Sequence, residues 1–310
     1  MALQSRALCG AALAGAIAAC SGSGGTPDRE LTGLVTAAAA PTAAAPAEAG
    51  KDPAQLASAL ARPHHVAGAA LGAHRLVVRS KIEVVDGNRV VEQVADDTTV
   101  DYDAGGQYHA TSTNSADYGR EVFYVGGELY LRPRYSRWHR RKPNDDAEAG
   151  QLLDEIASVL PSYYDLLAAG ADVADQGAVQ QAGRAARRIQ IKPTKSPRKP
   201  PAQPLVQRKW RESATVEAVA GEVVLDAETG VALTAKLAGQ VAFSRDGRRF
   251  IMTIDVAQEV TPLAQPPSFT LPAPEEVVAT PERLHEVDER DFLLEGMAPP
   301  ARRDKDKETP

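Results

Sequence analysis

Apolar residues at every second position recur along most of this chain, and that period decides what it can fold into. From His74 to Val85, Leu76, Val78, Ile82 and Val84 fall on one side of an extended backbone, while Arg75, Arg79, Lys81 and Glu83 lie largely on the other. Such alternation marks a strand with one buried face. Asp86-Gly87 supplies a hairpin turn, and Arg89 to Tyr102 runs back. The meander continues through Gln107 to Thr113, Arg120 to Val125, a Gly126-Gly127 turn and Glu128 to Arg132, and Trp138 marks another short strand. Further along, Ala185 to Ile191, Thr215 to Leu225, Ala232 to Phe243 and Arg248 to Val260 repeat the pattern, joined by the turns 226–230 and 245–247. The last strand sets Phe250, Met252, Ile254, Val256 and Val260 against Arg249, Thr253, Asp255 and Glu259. The result expected is an antiparallel sheet with one face wet or lightly covered.

Between the two groups of strands the period changes. Leu152, Ile156, Val159 and Leu160 follow helical spacing, with Asp145 as N-cap and Glu148 three residues later. Pro161 is expected to break this helix, and Tyr163, Tyr164, Leu166 and Leu167 to belong to a second short one. Helices near 145–169 need an apolar surface to cover, and the sheet offers one. The fold class expected is therefore α+β, mostly antiparallel β.

The N-terminus carries a different signal. Arg6 provides a positive n-region, Ala7 to Ala19 a short apolar run, and small residues precede Cys20. This is the layout of a secretory signal, too short to span a bilayer. The run Ile17-Ala18-Ala19-Cys20 resembles the end of a bacterial lipoprotein signal. That resemblance implies cleavage before Cys20 and acylation there, giving a stable surface anchor. Residues 1–19 are then the signal peptide. Residues 20–62, rich in Ala, Gly and Pro, read as a disordered tether with a reach of about 35 Å.

Removing residues 1–19 takes away one base, Arg6, and no acid, which leaves 34 basic against 41 acidic residues. An acidic chain of this kind argues against nucleic acid as partner. The chain has two cysteines, one inside the signal, so no disulfide within the mature chain can staple it. A core must hold it, and residues 63–262 are long enough to build one. Residues 263–310 read as a Pro-rich, charged extension, with Pro262 to Pro274 extended over the domain and a helix near 281–294.

The order of long strands, the Tyr124 to Arg132 hairpin, the Trp138-His139-Arg140 segment, a broken helix and two closing hairpins resembles the LolA/LolB and LppX group of bacterial lipoprotein and lipid carriers. The likeness covers residues 74 to 260. It implies an unclosed β-barrel or curved sheet capped by short helices, with an acyl chain, lipid or lipoprotein held between. Strand and helix alternation proposes Leu76, Val78, Ile82, Leu152, Ile156, Leu233, Leu237, Met252 and Ile254 as apolar cavity residues. The same pattern describes an ordinary core, and both readings stand. In the lipoprotein context, Ser21 is not the aspartate that commonly retains such proteins at the inner membrane. An outer-membrane anchor with a periplasmic domain is therefore favoured. The alternative function is that of a non-enzymatic envelope regulator or scaffold with a protein partner.

Two basic features stand out. The stretch from Gly177 to Arg211 carries ten basic residues and no acid, and its loop near 192–209 includes Lys195, Arg198 and Lys199. Arg134, Arg137 and Arg140 interleave with Tyr135 and Trp138. Both read either as contacts for anionic head groups or as solvated surface. No Gly-x-Ser-x-Gly elbow, His-Glu-x-x-His or phosphate loop is present, so no enzymatic activity and no cofactor are assigned. The adjacent His64-His65 reads as a solvated strand entrance rather than a metal site. Asp96, Asp97, Asp101 and Asp103 read as a charged strand end.

Overall fold

The computed structural model describes residues 46–200, 202 and 206–279; Cys20, the signal, most of the spacer and the helix expected near 281–294 lie outside them. Twelve strands form one sheet: β1 (His74–Asp86), β2 (Arg89–Tyr102), β3 (Tyr108–Asn114), β4 (Gly119–Val125), β5 (Glu128–Pro133), β6 (Trp138–Arg141), β7 (Ala171–Gln181), β8 (Arg184–Pro193), β9 (Thr215–Asp226), β10 (Ala232–Arg245), β11 (Arg248–Pro262) and β12 (Val277–Ala279). Their order is β12-β6-β5-β4-β3-β2-β1-β11-β10-β9-β8-β7, and the sheet does not close. Every pairing is antiparallel except that of β12 with β6. The fold class expected from the period of two is the one found.

β1 lies at the centre of this order, paired on one side with β2 and on the other with β11, so the first and last long strands meet. Its inward residues Leu76 and Val78 are 1% exposed, and Leu233, Ile254 and Leu237 on neighbouring strands are 0 to 2% exposed. Two helices, α4 (Glu148–Ala157) and α5 (Val159–Leu167), cross the buried face: α4 against β2 and β3, α5 against β1, β10 and β11. Asp145 Oδ1 accepts from the N–H groups of Ala147 and Glu148 at 2.8 and 2.9 Å, and the Glu148 carboxylate accepts from Asn144 N at 2.6 Å. The break between the helices falls at Ser158, not at Pro161. Pro161 sits in the first turn of α5, where its missing N–H costs no intrahelical bond. Gly239 allows α5 to come close, because a Cβ there would stand 2.4 Å from Leu167 Cδ2.

The spacer expected over residues 20–62 cannot extend beyond Pro46. Three short helices follow from there, α1 (Pro46–Ala49), α2 (Pro53–Leu60) and α3 (His64–Ala67). Asp52 caps α2, its Oδ1 accepting from Ala54 N at 2.6 Å, with Pro53 at the first helical position. Leu56 and Leu60, four residues apart, point the same way and are 0 and 9% exposed. The Tyr164 hydroxyl donates to the Pro53 carbonyl at 3.2 Å, which ties α2 to α5. Alanine hides this segment from a hydropathy reading. Two leucines suffice because the small residues let the helix lie close to its neighbours.

Two strands have no signal of alternation. β7 carries no large aliphatic residue beyond Val173 and Val179, is bulged between Asp175 and Gly177, and pairs only with β8. Edge strands of this kind are stabilised by their partner more than by burial. β12 is three residues long. It belongs to the segment 263–279, whose Phe269 and Val277 pack on Phe123, Tyr130 and Trp138, a small apolar cluster on the face of β4 to β6 away from the main core. Among the described residues no helix is long and apolar enough to cross a membrane.

Candidate functional site

The chain from α2 to α3, the junction of α4 and α5, and the turn from β9 to β10 meet over β1 and line a partly open cavity of about 220 Å³. Its fully buried wall is apolar: Ala59, Leu60, Ala67, Leu76 and Leu160. Its partly exposed wall holds Arg62, Asp154, Ala157 and Ser158, with His64 and Gln258 beside them. The cavity thus has an apolar inner end and a polar outer one. A wider and more open depression of about 490 Å³ lies among Arg79, Lys81, Lys236 and Asp255, with the buried Ser80, Leu237 and Val256 also in its lining.

Each polar group of this cavity has an identifiable position. Arg62 reaches across the opening and donates from Nη1 to the carbonyl of Thr229. Asp154 accepts from the backbone N–H of His65 at 2.9 Å and lies 2.7 Å from its ring Nδ1. Ser158 donates to the Glu155 carbonyl at 2.8 Å, and Gln258 donates to that of Ala232 at 2.9 Å. The adjacent histidines are therefore not a solvated strand entrance. They lie on α3 and turn opposite ways, His65 to Asp154 and His64 inward.

His64 Nε2 lies 3.0 Å from Nε2 of His74, which is 0% exposed. His74 Nδ1 lies 2.8 Å from the Gly72 carbonyl, so it carries the proton, and its Nε2 accepts from His64 Nε2–H. The ring of Tyr102 packs at 5.2 Å from that of His74. Burial, reinforced by the neighbouring imidazole, lowers the pKa of His64 to about 3. Burial also lowers that of His74, against the opposing pull of the Gly72 carbonyl and Asp101. The pair is neutral at physiological pH and joins α3 to β1 beside the cavity.

Of the nine apolar residues expected to line a cavity, Leu76 alone reaches this one. Val78, Ile156, Leu233, Leu237 and Ile254 are buried, and Ile82, Leu152 and Met252 pack half-buried against the same core. The six candidate anionic contacts are also dispersed. Arg134 donates to the Asn114 carbonyl at 3.1 Å and pairs with Asp117 at 3.3 Å, and Arg140 lies 4.0 Å from Glu128. Arg198 donates to the carbonyls of Ala168 and Ala171, which pins its segment to the joint of α5 and β7. Arg137, Lys195 and Lys199 are exposed. The turn holding Arg134 and Arg137 and the segment holding Lys195 to Lys199 belong to opposite ends of the strand order. The acidic strand end is likewise committed: Asp96 accepts from Ser80, Asp97 from Arg79, Asp101 from Arg75, and Asp103 from the N–H groups of its own loop.

Sequence reasoning missed Arg62, His64 and Asp154. The available signal was Asp52-Pro53 with Leu56 and Leu60, which places a helix ahead of Arg62 and folds the following histidines into the domain.

No family model and no curated protein matches the sequence. Among solved structures, the chain is similar to a DUF1329 family protein from Desulfovibrio piger at 11% identity, over 69% of this chain and 95% of that one, with a TM-score of 0.21. It is similar to the MucA/MucB complex of Pseudomonas aeruginosa at 14% identity, over 65% of this chain and 57% of that one, with a TM-score of 0.19. A LolA superfamily protein from Nitrosomonas europaea is similar at 7% identity, over 66% of this chain and 94% of that one, with a TM-score of 0.20.

Proposed function

We propose that the protein is a non-enzymatic binder of a hydrocarbon chain, held in the cavity between α2 to α5 and the sheet and tethered to an envelope membrane through acylated Cys20. The observation that carries this is the cavity itself, whose apolar inner end is bounded by Leu60, Leu76 and Leu160. An apolar void takes up hydrocarbon without directed polar groups, and one of about 150 Å³ is large enough for benzene. At about 220 Å³ this cavity exceeds that size. It remains below the roughly 300 Å³ at which pockets for whole drug-sized ligands begin. It therefore takes the end of one acyl chain, and the rest of the ligand extends past the polar outer wall.

Ala157 lines the cavity from the last turn of α4 and is partly exposed, so a larger side chain there fills the space without a new burial in the core. Ala157→Phe is expected to weaken uptake of a fluorescent acyl probe by about tenfold or more, the equivalent of about 1.4 kcal/mol. Its cooperative urea unfolding should be retained. Uptake unchanged in a folded variant would move the ligand elsewhere. The tether is tested separately: Cys20→Ser should lose acylation and leave the membrane fraction, and an acylated membrane-bound variant would refute Cys20 as the anchor.

A further inference from the structure

We infer that Arg62 selects ligands with an anionic head group, a carboxylate or a phosphate, at the outer end of the acyl cavity; this rests on the hydrocarbon-chain reading. The cavity wall contains two charged side chains. Asp154 is engaged by the backbone N–H and ring of His65 at 2.9 and 2.7 Å. Among the described residues, Arg62 meets only a carbonyl, that of Thr229. The acids of that turn are taken by another cation: Asp226 accepts from Arg184 Nε at 2.5 Å, and Glu228 from Arg184 Nη2 at 3.3 Å. Asp226 also accepts from the backbone N–H and hydroxyl of Thr229 at 2.7 and 2.8 Å.

The turn leaves room for the guanidinium. Gly230, also in the cavity wall, has a φ of +72°, and a Cβ there would stand 3.3 Å from Arg62 Nη1, closer than ordinary van der Waals contact. A glycine at this position therefore serves both the turn and the approach of the arginine. One N–H of Arg62 is used by Thr229, and the remaining donors of the planar fork match the paired oxygens of a carboxylate or phosphate. With the chain end against Leu60, Leu76 and Leu160, the head group emerges where Arg62 stands.

The test compares four probes of one chain length at pH 7.5, dodecanoate, dodecyl phosphate, dodecanol and dodecyltrimethylammonium, on the unmodified chain and on Arg62→Gln and Arg62→Lys. The unmodified chain should bind the anions about tenfold more tightly than the alcohol, at the lower end of what a charged hydrogen bond at a partly exposed site sustains, and the cation most weakly. In Arg62→Gln the ratio of anion to alcohol affinity should fall to within about twofold of one, while Arg62→Lys keeps part of the preference. The better-bound anion distinguishes a free fatty acid from a phosphate-bearing lipid. Equal binding of anions and alcohol by the unmodified chain would overturn the role of Arg62 and leave the cavity reading intact. Failure of every probe to bind would overturn the cavity reading, and this inference with it.

Discussion

Leu56→Ala should lower the stability of the domain by about 2 to 5 kcal/mol, the cost of deleting a fully buried leucine and leaving a void. Leu56 is 0% exposed and lies on α2, within the stretch whose composition reads as a spacer. A residue in a flexible tether would cost nothing when shortened, so the two accounts differ by nearly the whole effect. Urea unfolding followed by circular dichroism measures it. The midpoint should fall while the dependence on urea stays the same. An unchanged midpoint would show that α2 is not part of the cooperative unit.

Acidification from pH 7 to 5 should destabilise the fold by about 2 kcal/mol through His64 of the His64–His74 pair, with His74 acting in the same direction. The sign follows from burial. Both pKa values are lowered in the folded state, His64 to about 3, so between that value and about 6.5 the unfolded chain binds protons that the folded chain excludes. Stability is present in full above about 6.5 and is lost as the pH falls through the window. The charged and titratable groups around the pair are His65, Asp154, Asp101 and Tyr102. His139, also lowered by burial, acts in the same sense. Glu121, held below the ordinary carboxylate range by its hydrogen bond to His109 and by Arg132, and Asp175, held low by Arg187, begin to lose their contributions only as the pH falls from about 5 toward the unfolded carboxylate values. The interval from 7 to 5 therefore lies above the loss of these carboxylate contributions, while Asp96, raised by burial, acts in the opposite sense to the histidines. His64→Gln, which keeps a donor for His74 Nε2, should remove the His64 share of the slope. A stability that is flat from pH 7 to 5 would contradict the buried neutral pair.

The strands of the sheet were legible because their residues alternate. Val78 and Arg79, or Ile254 and Asp255, leave one arrangement that buries the first and wets the second. β7 and β12 were not legible, since an edge strand held by one neighbour need not alternate and a three-residue strand is too short to show a period. The broken helix was visible from Leu152 to Leu167, but its joint was misplaced because a proline in a first turn looks the same in sequence as one that ends a helix.

The site was less legible than the fold. Strand alternation identifies buried residues without saying which of them border empty space; Val78, Leu237 and Ile254 became core and Leu76 became cavity wall. Arg62 and His64 acquire their roles from Thr229 and His74, partners that the linear sequence does not pair with them.

The most direct test is native mass spectrometry of the full chain carrying Cys20→Ser, purified from the soluble fraction without detergent. The account predicts a species heavier than the polypeptide by one single-chain acyl ligand, with that adduct lost in the same chain carrying Ala157→Phe. A bare polypeptide mass in both, together with no uptake of added dodecanoate, would contradict the carrier reading and leave a protein-binding scaffold in its place.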